Sequence, residues 1–388
     1  MLLRLDIIAG ARPNFMKVAP LIHRIQNIQK KENVTYRLIH TGQHYDRNMS
    51  GSFFEQLGIP EPDENLEVGS GTQAEQTAGI MSRYEYILQR QKPDICIVVG
   101  DVTSTLACSV TAKKMGIRVA HIEGGIRSGD WTMPEEINRV VTDSITDYFF
   151  TTSETANQNL KKEGVAEDQI FFVGNTMIDT LFANIERLQK PGEWEHYNLT
   201  SGSYFVMTLH RPANVDEQKK LKRLIENIVH HSGGHKIIFP VHPRTRKMLE
   251  KENLVYENLL CIDPLGYLEF NYLVKNARAV ITDSGGITEE ATVMSVPCLT
   301  LRDNTERPET VQIGTNELIG TDPDAIKPAL EKLLAGKWKK GKIPDKWDGK
   351  TSERIVYTLL SLHKNGMLKP FSPHVDHTLL FQPAHNKE

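Results

Sequence analysis

Residues 279–291 read Ala279-Val280-Ile281-Thr282-Asp283-Ser284-Gly285-Gly286-Ile287-Thr288-Glu289-Glu290-Ala291. An apolar run of strand length stops at Thr282, Ser-Gly-Gly makes a turn, and helix-forming residues follow. Bare backbone N–H groups at such a helix start suit a diphosphate. The same unit recurs outward in both directions. Strands are expected at Tyr204–Thr208, Lys236–Pro240, Leu259–Ile262, Ala279–Thr282 and Cys298–Leu301 in the second half. In the first half they are expected at Leu5–Ile8, Tyr36–His40, Ile95–Val99, Arg118–Ile122 and Tyr148–Thr151, with helices at Met16–Ile28, Thr77–Gln89 and Thr105–Met115. This alternation predicts an α/β protein of two Rossmann-like, doubly wound parallel-sheet domains facing across a cleft. Gln189–Ser203 is polar, breaker-rich and without periodicity, so the join is expected there. The expected units are 1–190, 191–365 and a tail over 366–388. Lys337–Lys350 reads as a basic loop. Thr351–His363 reads as a last helix, with the option of packing back on the first unit.

The 388 residues are 39% hydrophobic and 24% charged, enough apolar material for two ordinary cores. A net charge of −3 gives no reason to expect nucleic acid. Cys96, Cys108, Cys261 and Cys298 show no metal-binding spacing, and three of them lie in or beside apolar runs, as reduced core thiols do. The N-terminus runs straight into an apolar strand without a signal-peptide cleavage region, and no apolar run approaches the roughly 20 residues that span a bilayer. A cytoplasmic protein with no membrane partner is expected.

Candidate chemistry sits at the carboxyl ends of the strands. After the first come Gly10, Arg12, Pro13 and Lys17, a tight turn with two cations near a helix start, but neither GxGxxG nor a P-loop. Asp101 follows the third strand and reads equally as a cleft acid or a helix N-cap. Glu123 is followed at once by two glycines, which argues against a core position. Glu135 and Glu136 open a helix after Pro134, where acids also favour the helix dipole. Crowding Asp101, Glu123 and Glu135 into one cleft would separate their proton affinities and provide both an acid and a base. In the second half His210 ends a strand beside Arg211, Glu290 lies one turn into its helix within reach of ribose hydroxyls, and Arg302 and Arg307 add positive charge.

Together the segments GARPNFMK, TGQH, GD-x-x-ST, HIEGGIRS, MPEEINR, LHRPANVD, TDSGGITEEA and RDNTERPE, in this order, resemble the non-hydrolysing UDP-N-acetylglucosamine 2-epimerase family from about Leu5 to about His363. The resemblance implies the GT-B architecture, a homodimer, no cofactor or metal, and UDP-N-acetylglucosamine as substrate for a pathway to surface polysaccharide. It implies substrate contacts at Arg12, Lys17, Asp101, Glu123, His210, Phe270, Ser284, Gly285, Gly286, Glu290 and Arg307. The catalytic group it implies is Asp101, Glu123, Glu135 and His210. The chain departs from the family pattern at Ala213, where many members carry Glu, and at Leu265, where some carry Gln. The chemistry it implies is elimination of UDP to 2-acetamidoglucal and re-addition. Rival readings are a C2 epimerase of a diacetamido-uronic acid sugar nucleotide, a hydrolysing 2-epimerase, and a GT-B glycosyltransferase. Some members also bind a second substrate molecule as activator, at a place the resemblance sets near Gln43, Glu136, Arg211 and His242. Here Gly69-Ser70-Gly71-Thr72 stands where activated members carry Arg-Gln, so little activation is expected.

Overall fold

The computed structural model of the protein describes residues 2–42, 54, 56–215, 217–241, 243–251 and 254–369. Two wholly parallel sheets organise them. The first holds β1 (Leu3–Ala9), β2 (Val34–His40), β3 (Glu64–Asn65), β4 (Ile95–Val99), β5 (Arg118–Ile122), β6 (Tyr148–Thr151) and β7 (Ile170–Phe172), in the order β3-β2-β1-β4-β5-β6-β7. The second holds β8 (Tyr204–Thr208), β9 (Lys236–Pro240), β10 (Leu259–Ile262), β11 (Ala279–Thr282), β12 (Cys298–Thr300) and β13 (Asn316–Leu318), in the order β10-β9-β8-β11-β12-β13. Each order reverses beside its first strand, between β1 and β4 and between β8 and β11. Ligands of doubly wound sheets bind at such reversals.

The apolar runs explain the layering. All five residues of β4 are buried, and they alternate between two cores. Ile95, Ile97 and Val99 join the layer that holds the helix Arg12–Ile28, while Cys96 and Val98 join the layer that holds Gln73–Arg90. A strand apolar on both faces needs helices on both. In β8, Phe205 and Met207 face one layer and Tyr204 and Val206 the other. Among the described residues no helix is long and apolar enough to cross a membrane. Cys96, Cys108 and Cys298 are buried and Cys261 is partly buried; all four are free thiols.

Two features depart from the linear reading. Gly192–His196 is a short helix inside the segment expected as a plain join, because Trp194 packs edge-on against Tyr204 at 5.8 Å and Tyr272 at 5.3 Å. The strands β3, β7 and β13 are only two or three residues long, too short to show a period of two. At the far end the helix Thr351–Lys364 returns to the first sheet, where Ile355, Val356, Leu359 and Leu360 join its core. Each such side chain contributes about 1.5–3 kcal/mol of burial. The buried Trp347 indole donates to the Thr152 carbonyl at 3.0 Å and anchors the approach.

Candidate functional site

The turn after β1 is held from inside. The Asn14 side-chain oxygen accepts from the Gly10 and Ala11 N–H groups at 3.2 and 3.0 Å, and its amide donates to the Val99 carbonyl at 3.2 Å. A Cβ at Gly10 would lie 2.1 Å from the Ser104 hydroxyl, so only glycine fits. Arg12 is the first residue of the following helix, and its side chain lies outside the described residues. One turn on, the Lys17 ammonium reaches the Glu123 carboxylate at 2.7 Å.

Glu123 follows β5 and is buried with φ +70°, a left-handed backbone that costs a non-glycine residue about 1–3 kcal/mol. Its Oε2 accepts from Lys17 and, at 2.9 Å, from Arg307, which follows the strand β12 of the other sheet. Burial pushes the Glu123 carboxyl up, but the two cations outweigh it and hold it well below the usual carboxylate range. Its Oε1 has no partner among the described residues. Arg307 also pairs through Nε with the buried Glu289, which accepts from Asn175 at 2.9 Å. Burial raises the Glu289 carboxyl, with Arg307 opposing and Glu123 adding to the rise. Lys17, Glu123, Arg307 and Glu289 thus form one chain of charge across the facing carboxyl edges of the two sheets.

Asp101 follows β4, keeps 28% of its side chain exposed and pairs with Arg139. Its carbonyl accepts from the Asn138 amide at 2.9 Å. Arg139 continues to Glu136 at 2.8 Å and approaches Glu306 of the second domain at 3.9 Å. The two acids after Pro134 part company. Glu136 is buried and accepts from the Ser128 and Gly129 N–H groups at 3.0 and 2.9 Å, whereas Glu135 is exposed without a partner among the described residues. The structure does not join Glu135 to the Glu123 cluster.

In the second domain β8 and β11 run side by side with Thr208 opposite Thr282. This register puts His210 over Asp283. The His210 ring is 60% exposed, with Nδ1 2.7 Å from the fully buried Asp283 carboxylate. Asp283 also accepts from the N–H groups of His210 and Arg211 and from the Asn214 amide. Burial raises its carboxyl, but these partners bring it below its ordinary value. Ser284 stands at the N-cap of Gly285–Val293 without capping it through its side chain, and a Cβ on Gly286 would meet nothing within 4 Å. The helix start is therefore open to an anion. Glu290 lies one turn in, buried, and accepts from the Tyr267 hydroxyl at 2.9 Å. Phe270, on the neighbouring helix Tyr267–Asn276, is partly buried against the same core. Of the expected effector residues, Gln43 and His242 lie outside the described residues, and Arg211 stands 3.5 Å from Glu306.

Residues 26–360 match the UDP-N-acetylglucosamine 2-epimerase family. A UDP-N-acetylglucosamine 2-epimerase of Methanocaldococcus jannaschii is 43% identical over 367 residues, covering 92% of this chain and 99% of that protein. The chain belongs to this family. A crystal structure of the M. jannaschii epimerase with UDP-GlcNAc and UDP, 43% identical, covers 92% of this chain and 100% of that one with a TM-score of 0.81. A UDP-2,3-diacetamido-2,3-dideoxy-D-glucuronate 2-epimerase of Pseudomonas aeruginosa is 39% identical over 323 residues, 82% of this chain and 89% of that protein. The two-domain architecture of this epimerase-family chain is GT-B.

Local sequence does not single out Asp283, Arg139, Glu289 or Glu306. Asp283 had a signal, an acid closing a buried strand, but its partner lies 73 residues away. Arg139 had a weaker one, since it sits one turn beyond Glu136 on the same helix face. Nothing local marks Glu289, whose role depends on Arg307 reaching it from another loop. Among the described residues no group of three or more His, Cys, Asp and Glu side chains is arranged to hold a metal.

Proposed function

We propose that the protein reversibly inverts C2 of UDP-N-acetylglucosamine to give UDP-N-acetylmannosamine, without a redox cofactor. The C2 proton is not acidic, because the acetamido group attaches through nitrogen and offers no adjacent carbonyl. Direct deprotonation is therefore too costly, and elimination is the route. UDP leaves C1 as C2 loses its proton, giving 2-acetamidoglucal, and UDP then adds back while C2 is protonated from the other face.

The observation that carries this reading is the meeting of Arg307 with Glu123. The cation suited to a departing diphosphate touches the carboxylate suited to moving a proton. While Lys17 and Arg307 hold Glu123 ionised, it is ready to act as a base. As diphosphate charge grows it competes for both cations, and the carboxylate becomes a better proton acceptor. The open start of Gly285–Val293 receives the diphosphate, Glu290 takes the ribose hydroxyls and Phe270 the base. Asp101, Glu135 and His210 complete proton transfer on the two faces. Homodimerisation in the cytoplasm is part of the proposal. Ile137 and Val141, four apart on Pro134–Ile145, are exposed apolar residues that favour a partner surface.

The test is proton NMR with UDP-N-acetylglucosamine in heavy water. Product and recovered substrate should both gain deuterium at C2, with traces of UDP and 2-acetamidoglucal on long incubation and no effect of exhaustive chelation. Epimer with C2 hydrogen fully retained would sink the elimination route. The identity to the P. aeruginosa relative supports a second substrate, and the same assay with the diacetamido-uronic acid nucleotide decides between them.

A further inference from the structure

Beneath the two catalytic loops of the first domain lies a buried pair that the proposed chemistry does not touch. His121, in β5, has Nδ1 2.6 Å from Asp143 Oδ1 and Nε2 2.8 Å from the Gly100 carbonyl. Both side chains are about 1% exposed. Asp143 stands on the helix Pro134–Ile145, and its Oδ2 accepts from the Gly125 N–H at 2.9 Å and from Arg127 at 2.7 Å. A carbonyl oxygen only accepts, and an ionised carboxylate only accepts. Asp143 is ionised: its carboxyl lies below its ordinary value despite burial, and its Oδ2 accepts from the Arg127 guanidinium and the Gly125 N–H, neither of which depends on the state of the ring. Each ring nitrogen therefore carries a hydrogen, an assignment made from the bonding network. The charges balance, since Arg127 is shared with Glu163 at 2.6 Å, leaving two acids against two cations.

We infer that His121 is a buried imidazolium that, with Asp143, acts as a positioning pair for both Asp101 and Glu123. One ring nitrogen holds Gly100, the residue before Asp101. The other holds Asp143, which holds Gly125 two residues after Glu123. The Glu123 turn needs such a hold. Glu123 has φ +70° and Gly125 φ +80°, both left-handed, and the Gly125 carbonyl is taken by Asn159 at 2.9 Å. A Cβ on Gly125 would stand 2.5 Å from the Ala156 carbonyl, so the turn is pressed against the helix Glu154–Lys162 while Asp143 draws its N–H from the other side. A ring with one hydrogen would leave either the Gly100 carbonyl or the Asp143 carboxylate facing a lone pair. The pair touches no atom that reacts; it sets where two reacting carboxylates stand. This rests on the proposed epimerase reaction.

The experiment combines ring-nitrogen NMR with kinetics. In wild-type protein labelled with 15N at histidine, and assigned by signal loss in His121→Gln, His121 should show two ring N–H protons at neutral pH, both slow to exchange. His121→Gln offers only one donating group, and Asp143→Asn removes the charge. Both should keep UDP binding, since neither side chain is among those proposed to hold UDP, and both should show little change in KM. Each should lose about a hundredfold in kcat, the effect of misplacing reacting groups by about 1 Å. A purely structural pair would lower the melting temperature with kcat intact per UDP-binding molecule. A single ring N–H on His121, or wild-type kcat in either variant, overturns the inference. If His121→Gln does not fold, the ring signals are assigned by their shift in Asp143→Asn, and the kinetics of that variant decide with them. A wild-type protein inert toward UDP-N-acetylglucosamine would overturn the function instead, and the two ring protons would still settle the state of His121.

Discussion

Glu290 accepts from Tyr267 at 2.9 Å and lies 3.4 Å from the Asn271 amide, fully enclosed. Burial pushes its carboxyl up to about 7 from an ordinary 4.5, with Glu289 adding to the rise and the two hydrogen bonds opposing it. Between those values the folded protein keeps a proton that the unfolded chain releases. The stability tied to this group is therefore full below about 4.5 and is lost as pH rises through 7. Glu290→Gln removes that loss, and the unpartnered Asn271 Oδ1 can accept from the new amide. Melts at pH 5 and pH 8 should show the variant losing up to roughly 3 kcal/mol less than wild type. At pH 8 its UDP affinity should fall, since the ribose hydroxyls lose an acceptor that is ionised there. An unchanged gap between the two pH values would mean that Glu290 is ionised throughout. The three proposed proton-transfer acids differ in the same physical way. Asp101→Asn, Glu123→Gln and Glu135→Gln should each lose at least about 10²-fold in kcat. Only Glu123→Gln should also be strongly destabilised, by about 3–5 kcal/mol, because it leaves Lys17 without its carboxylate and Arg307 with Glu289 alone. Near-normal turnover in all three would mean that helix-start acids had been taken for catalysts.

At the scale of elements, the long strands were legible because each buries both faces, and the runs at β4, β5, β6, β8, β9 and β11 were readable to the residue. The short strands β3, β7 and β13 were not, since they exist only by pairing with a neighbour, whereas the three-residue β12 was read one residue too long. The strand-to-helix turns carry the site, and their glycines separate two demands. Gly125→Ala forces a side chain into a left-handed backbone and against the Ala156 carbonyl. It should cost at least about 1–2 kcal/mol and lower kcat through Glu123. Gly286→Ala meets empty space in a helix, where alanine is favoured by about 0.8–1 kcal/mol. It should leave the melting temperature unchanged or higher, yet raise the Kd for UDP by about tenfold, because the methyl group occupies the approach to the helix start. Isothermal titration with UDP checks this, and unaltered affinity would mean that the diphosphate docks elsewhere.

For the whole molecule the question is whether a second substrate molecule is needed. The segment Gly69–Thr72 is already occupied with helix capping. The Thr72 hydroxyl accepts from the Glu75 N–H at 3.2 Å, and the Glu75 carboxylate accepts from the Thr72 N–H at 2.9 Å. Glu136 is likewise taken up by Ser128, Gly129 and Arg139. Neither offers the rigid fork of donors with which an arginine grips a diphosphate. Started from UDP-N-acetylmannosamine alone, the reaction should begin without a lag. A pronounced lag abolished by micromolar UDP-N-acetylglucosamine would show that the loop closes on an activator after all.

Periodicity and turn chemistry act between neighbours in the chain, which is why the residues themselves determined two parallel α/β halves, the strand-end loops and the open helix start at Ser284. Resemblance over eight ordered segments added which of those loops carry chemistry. Ion pairing acts through space. Which acid is neutralised, which is left free and which histidine is held on both sides depend on groups brought together from distant loops. Glu135 and Glu136 are adjacent and alike in sequence, yet the roughly 100° of helix rotation between them buries the second against Ser128 and Arg139 and leaves the first exposed. Arg307 was readable as a phosphate-binding cation. That it rests on Glu123, 184 residues away in the other domain, was decided only when the two sheets faced each other.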